Sequence, residues 1–97
     1  GGACVKRIYG RNAVYIGSSG DPVTATYSVA VSGGSGSYAY RWSNGMTTPS
    51  TSYTWYRDIR ATVVTGQVSV RVTDLVYGTV DERIMNVTVN SGTQDPV

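Results

Sequence analysis

The side chains that most often carry out chemistry are scarce in this sequence. Its 97 residues hold no histidine, one cysteine and six aspartates and glutamates together. Without imidazole the common general base and the common transition-metal ligand are both missing, and no Ser-His-Asp or Cys-His arrangement can be assembled. Cys4 alone supplies too few thiolates for zinc and cannot close an internal disulfide. A small apolar side chain at the start of a strand is preferred for it over a reactive thiol or an interchain bridge. Carboxylates remain. Asp58, Asp74, Asp81 and Glu82 offer two acids for glycoside hydrolysis only if the fold brings a pair together across a cleft, and their spacing does not impose that. Asp74, Asp81 and Glu82 flank a single turn and suit calcium by ligand type, but they lack the dense acidic spacing of a calcium loop. An Asp74 that caps backbone amides is the simpler expectation. The chain is therefore read as non-enzymatic, with no metal and no cofactor.

Recognition by contact is better supplied. Tyr53, Trp55, Tyr56 and Arg57 form an aromatic run with a basic end, and neighbouring Trp55 and Tyr56 cannot both point inward from one strand. One ring is expected at the surface, where it would stack on a sugar or fill a protein interface. The alternative is that both pack at the edge of the fold. Arg57 and Arg60 extend this surface, yet the net charge is only +2 and the basic residues are scattered. Nucleic acid is not expected as a partner. No apolar run approaches a membrane span, and nothing resembles a signal peptide, so membrane insertion is not expected either. Asn86-Val87-Thr88 matches a glycosylation acceptor inside an expected strand and is read as coincidence.

These residues must be positioned by strands. Gly, Ser, Thr, Val and Tyr are abundant and only 14% of residues are charged, a balance that favours sheets and tight turns. The organising stretch is Tyr38-Ala39-Tyr40-Arg41-Trp42, in which Tyr38, Tyr40 and Trp42 share one face. Trp42 and Tyr40 are placed in the core with Val70, Val72 and Val87. Residues 23–32 alternate cleanly, with Val23, Ala25, Tyr27, Val29 and Val31 on the inner side. Asn44-Gly45 reads as a hairpin turn because both residues tolerate positive φ, with a partner strand beginning at Met46. Pro49 belongs in a loop or on an edge. Residues 62–65 form a β-branched run closed by Gly66, 67–75 a firm strand, and 83–90 the closing strand. Near the N-terminus, residues 4–9 and 13–16 are two short runs divided by Gly10-Arg11-Asn12, either a hairpin or an interrupted edge strand. The organisation expected is an N-terminal strand or arm over 1–22, a sandwich core over 23–90 and a tail or linker over 91–97.

About seven short strands separated by turn signals fit an all-β, two-sheet Greek-key sandwich. The pattern Gly33-Gly34-Ser35-Gly36-Ser37-Tyr38-Ala39-Tyr40-Arg41-Trp42-Ser43-Asn44-Gly45, with Val68-Ser69-Val70-Arg71-Val72-Thr73-Asp74 and Gly78 later, resembles the bacterial and phage immunoglobulin-like repeats related to polycystic kidney disease domains. The resemblance spans about residues 23–89. It departs from the family's usual form in the N-terminal run and in the missing Tyr-x-x-Gly corner before the valine strand. It implies an immunoglobulin-like fold and a non-catalytic role as spacer, adhesion unit or decoration. The leading expectation is a virion protein, a capsid decoration or a tail-associated subunit that partners other virion proteins and weakly engages the host surface. The alternative is an extracellular or cell-surface repeat of a bacterial protein that binds glycans, adheres or serves only as a spacer. Unpaired sheet edges give either version a route to partners by strand addition.

Overall fold

A computed structural model describes residues 3–17 and 19–91, the side chains of Ala3, Cys4 and Lys6 excepted. The role expected for the Cys4 side chain, and the tail beyond Ser91, lie outside the described residues. Seven strands and no helix are present among the described residues: β1 (Ala3–Tyr9), β2 (Ala13–Tyr15), β3 (Val23–Gly33), β4 (Tyr38–Trp42), β5 (Ser50–Trp55), β6 (Val63–Asp74) and β7 (Val80–Asn90). They form two packed sheets, three strands in the order β1-β3-β5 and four in the order β2-β7-β6-β4. The protein is an all-β sandwich.

Alternation accounts for the core. Ala25 and Tyr27 from β3, Trp42 from β4, Val68, Val70 and Val72 from β6, and Val87 and Val89 from β7 are all buried between the sheets. Trp42 is 1% exposed and donates its indole Nε1–H to the Thr48 carbonyl at 2.7 Å, so its one polar atom is satisfied at the core boundary. Tyr40 is half-buried against this core and meets Tyr38 edge-on at 6.5 Å.

The N-terminal segment is threaded into both layers. Residues 10–12 interrupt one edge strand: β1 pairs with β3, and β2 then pairs in parallel with β7 in the other sheet. Val5, Ile8, Val14 and Ile16 all enter the common core. A bulge between Val5 and Arg7 rephases β1, which is how Val5 and Ile8, three residues apart, both face inward. From the opposite sheet, Asp81 accepts the Val5 amide and Arg83 donates to the Val5 carbonyl, each at 2.9 Å. The crossing between sheets depends on Gly10. Its φ is +149°, and a Cβ there would lie 2.2 Å from the Tyr27 ring, whose hydroxyl donates to the Arg11 carbonyl at 2.7 Å.

Two local expectations are corrected. Asn44-Gly45 does form a tight turn, with the Gly45 amide donating to the Trp42 carbonyl and Gly45 at positive φ. That turn carries the chain from β4 into the other sheet, so β4 and β5 are not hairpin partners. Gly66 does not close a strand either, because β6 runs unbroken from Val63 to Asp74. A Cβ on Gly66 would approach Trp55 Cζ3 at 2.4 Å, and the missing side chain makes room for the indole.

Candidate functional site

The carboxylates do not converge. Asp81 is tied to the Val5 and Glu82 amides, Asp58 to the Arg60 amide, and Glu82 to Arg71 across the outer face of the four-stranded sheet. No cluster of three His, Cys, Asp or Glu residues capable of holding a metal occurs among the described residues. The amides lower the Asp81 pKa, that of Val5 most strongly, and the Arg60 amide does the same for Asp58. These acids secure backbone.

Asp74 does so most completely. Its side chain is buried at the end of β6 on the inner side, where Oδ2 accepts the Ser35 amide at 2.7 Å. Oδ1 accepts the Ser35 hydroxyl at 2.8 Å and the Val76 and Tyr77 amides at 2.9 Å each. Burial by itself would raise this pKa, but the Ser35 and Tyr77 amides, the Ser35 hydroxyl and the Val76 amide together overcome it and bring it down to about 2. The carboxylate thus clamps the 33–37 loop to the β6–β7 turn, with a further bond from the Leu75 amide to the Ser37 carbonyl at 2.9 Å. The turn held in this way carries Leu75, Val76 and Tyr77 at 62%, 67% and 61% exposure, and Val80 beside them is also exposed. Three consecutive outward apolar side chains on a fixed turn make a small preorganised contact surface.

Within the aromatic run, Tyr53 and Trp55 face inward from β5 and stack on one another at 5.9 Å with an interplanar angle of 12°. Tyr53 also meets the Tyr27 and Trp42 rings edge-on, at 5.6 and 6.4 Å, and its hydroxyl pairs with the Ser43 hydroxyl at 2.7 Å. The Trp55 Nε1–H is buried, and its contact with the Tyr27 hydroxyl falls outside hydrogen-bond geometry. That indole is committed to packing. Tyr56, just past the strand, is 68% exposed, while Arg57 reaches back to the Gly17 carbonyl at 2.7 Å and pins that loop. Of the four residues singled out in the sequence, Tyr56 alone presents an open ring, with Ile59 exposed nearby in the chain.

A third surface was not anticipated. Register places Arg41 of β4 opposite Arg71 of β6, and Arg71 opposite Glu82 of β7, on the outer face of the four-stranded sheet. Strand alternation does show Arg41 and Arg71 pointing away from the core. Their adjacency depends on pairing between strands 30 residues apart, for which the sequence carries no local signal. Comparison with protein-family models, with curated proteins and with solved structures finds no match to this chain.

Proposed function

We propose that this chain is a non-catalytic, immunoglobulin-like accessory module: a small structural subunit of a phage particle, a capsid decoration or a tail-associated protein, that attaches through its β6–β7 turn. One observation carries the proposal. A buried carboxylate and a neighbouring loop hold Leu75, Val76 and Tyr77 outward before any partner arrives. Ordering a contact segment in advance removes its loop-ordering part of the entropic cost of association. The absence of histidine and the separate engagement of the acids support a role without catalysis. The strand order, in which an interrupted first strand joins both sheets, supports the immunoglobulin-like description and extends it over the N-terminal segment.

The test is co-purification. Particles produced by the source phage would be purified by density gradient and assayed for this protein by mass spectrometry. A variant with Leu75, Val76 and Tyr77 replaced by serine would be followed in parallel. The expected result is a stoichiometric signal for wild type and loss of the folded triple variant from the particle. Absence of wild type from particles, or equal retention of the variant, would refute the proposal.

A second reading, a glycan-binding or adhesive repeat of a bacterial surface protein, is favoured by the open Tyr56 ring. A glycan array run with wild type and Tyr56→Ala separates it from the first, because binding lost on this substitution requires a sugar platform. The more conspicuous Trp55 is the wrong residue for that experiment, since truncating it removes core packing.

A further inference from the structure

The Arg41, Arg71, Glu82 row points to a ligand that the assembly role does not require. Arg41 and Arg71 are direct cross-strand partners, and like charges in that position oppose pairing of the strands. Glu82 offsets only one of them, bonding Arg71 Nε at 2.7 Å, and Arg41 forms no ion pair among the described residues. Two guanidinium groups against one carboxylate leave one positive charge unanswered on an otherwise uncharged stretch of sheet.

The surroundings have the shape of a small binding site. The rows on either side of the arginines are small, Ala39 with Thr73 on one side and Ser43 with Ser69 on the other. The two arginines therefore stand as a ridge between two open depressions of about 240 and 490 Å³. Ser43 and Ser69 lie along the first depression and Thr47 and Thr73 along the second, the Ser43 hydroxyl already pairing with that of Tyr53. Ile84 is exposed beside the first, and the half-buried Tyr38 and Tyr40 of the inner face reach the second at the β4 edge.

We infer that this face binds an acidic saccharide, its carboxylate or sulfate held by Arg41 and Arg71 and its ring hydroxyls by Ser69, Thr47 and Thr73. Guanidinium groups match the paired oxygens of such anions in a planar, bidentate way. An acidic peptide fits less well, because the depressions are open and offer no enclosed recess for an anchor side chain. A single unpaired charge is also too little for a nucleic-acid backbone. Glu82 acts as a competitor, occupying Arg71 until a ligand anion displaces it. The site does not rest on the docking role and uses none of Leu75, Val76 or Tyr77, although Thr73 on its lining pairs with Val80 beside that turn, so either can fail without the other.

The test is an NMR titration of the ¹⁵N-labelled protein with glucuronic acid, N-acetylneuraminic acid, a glucose sulfate ester, neutral glucose and a triglutamate peptide. At least one acidic sugar is expected to shift the Arg41 and Arg71 Nε–H signals and the Ser69 amide saturably, with millimolar affinity, while glucose does not. The arm that binds more tightly distinguishes carboxylate from sulfate. Arg41→Gln should weaken binding about tenfold, the loss of one charge-assisted contact. Glu82→Gln should strengthen it by releasing Arg71, a change in the opposite direction that loss of structure would not produce. Any of these results would overturn the inference: no saturable shift with any acidic sugar, shifts matched by glucose, or triglutamate binding at least as tight as every acidic sugar. Unchanged affinity in a folded Arg41→Gln variant would do so too.

Discussion

Gly66→Ala adds one methyl group where the inner face of β6 meets the Trp55 indole. The new Cβ would stand 2.4 Å from Cζ3, 3.0 Å from Cη2 and 3.3 Å from Cε3 of that ring. Two opposing effects set the outcome. Relieving a glycine in a strand interior gains about 0.5–1 kcal/mol, whereas inserting a methyl group into a filled space costs about 1–3 kcal/mol. The contact is with ring atoms, and the ring is held by its stack on Tyr53, so the clash dominates. A net loss of about 1–2 kcal/mol follows, which for a domain of this size lowers Tm by about 5–15 °C. Urea unfolding followed by tryptophan fluorescence, paired with calorimetry, measures it. The decisive comparison is a double-mutant cycle with Trp55→Leu. That substitution destabilises by itself, but in its background Gly66→Ala should turn from harmful to neutral or favourable because the obstructing ring is gone. Wild-type or higher stability for Gly66→Ala alone, or an equal penalty in both backgrounds, would refute the assignment of Gly66 as a seat for the indole.

Asp74→Asn should loosen the 33–37 loop and the β6–β7 turn, seen as faster amide hydrogen exchange at Ser35, Val76 and Tyr77. Because the folded-state pKa of Asp74 lies at about 2, below its ordinary value of 3.8, its stabilisation is complete above about pH 4 and is lost as pH falls towards 2. Asp58 and Asp81 are lowered too and add acid sensitivity of the same sign, so the variant should be less stable at pH 7 with a shallower, not absent, decline in acid. An acid limb as steep as wild type would contradict the clamp. Gly10→Ala should cost more than Gly66→Ala, since it meets the fully buried Tyr27 ring and also requires positive φ; equal or higher Tm in a thermal melt would disprove the role given to that crossing.

Much of the architecture was legible because strand alternation is a local property. Tyr38, Tyr40 and Trp42, the valines of β6 and the inner face of β3 could be assigned from spacing alone, since a side chain's face follows from its parity within a strand. Parity stops helping where a bulge intervenes, as at Val5 and Ile8, or where a charged side chain occupies an inward position, as with Asp81 and Arg83 reaching the β1 backbone. Glycine was the other source of misreading. In Asn44-Gly45 it did mark a turn, yet at Gly66 it marked a neighbour's ring, and composition does not distinguish the two.

The candidate surfaces divide along the same line. That Trp55 and Tyr56 cannot both point inward from one strand follows from backbone geometry, and the lack of imidazole is a fact of composition. Which ring faces outward, that Asp74 holds a turn in place, and that Arg41 lies beside Arg71 were decided by the pairing of strands distant along the chain. Sequence determines which residues can share a strand face, because the backbone repeats every two residues. Only tertiary structure determines which strands lie side by side, because that choice minimises the free energy of the whole core.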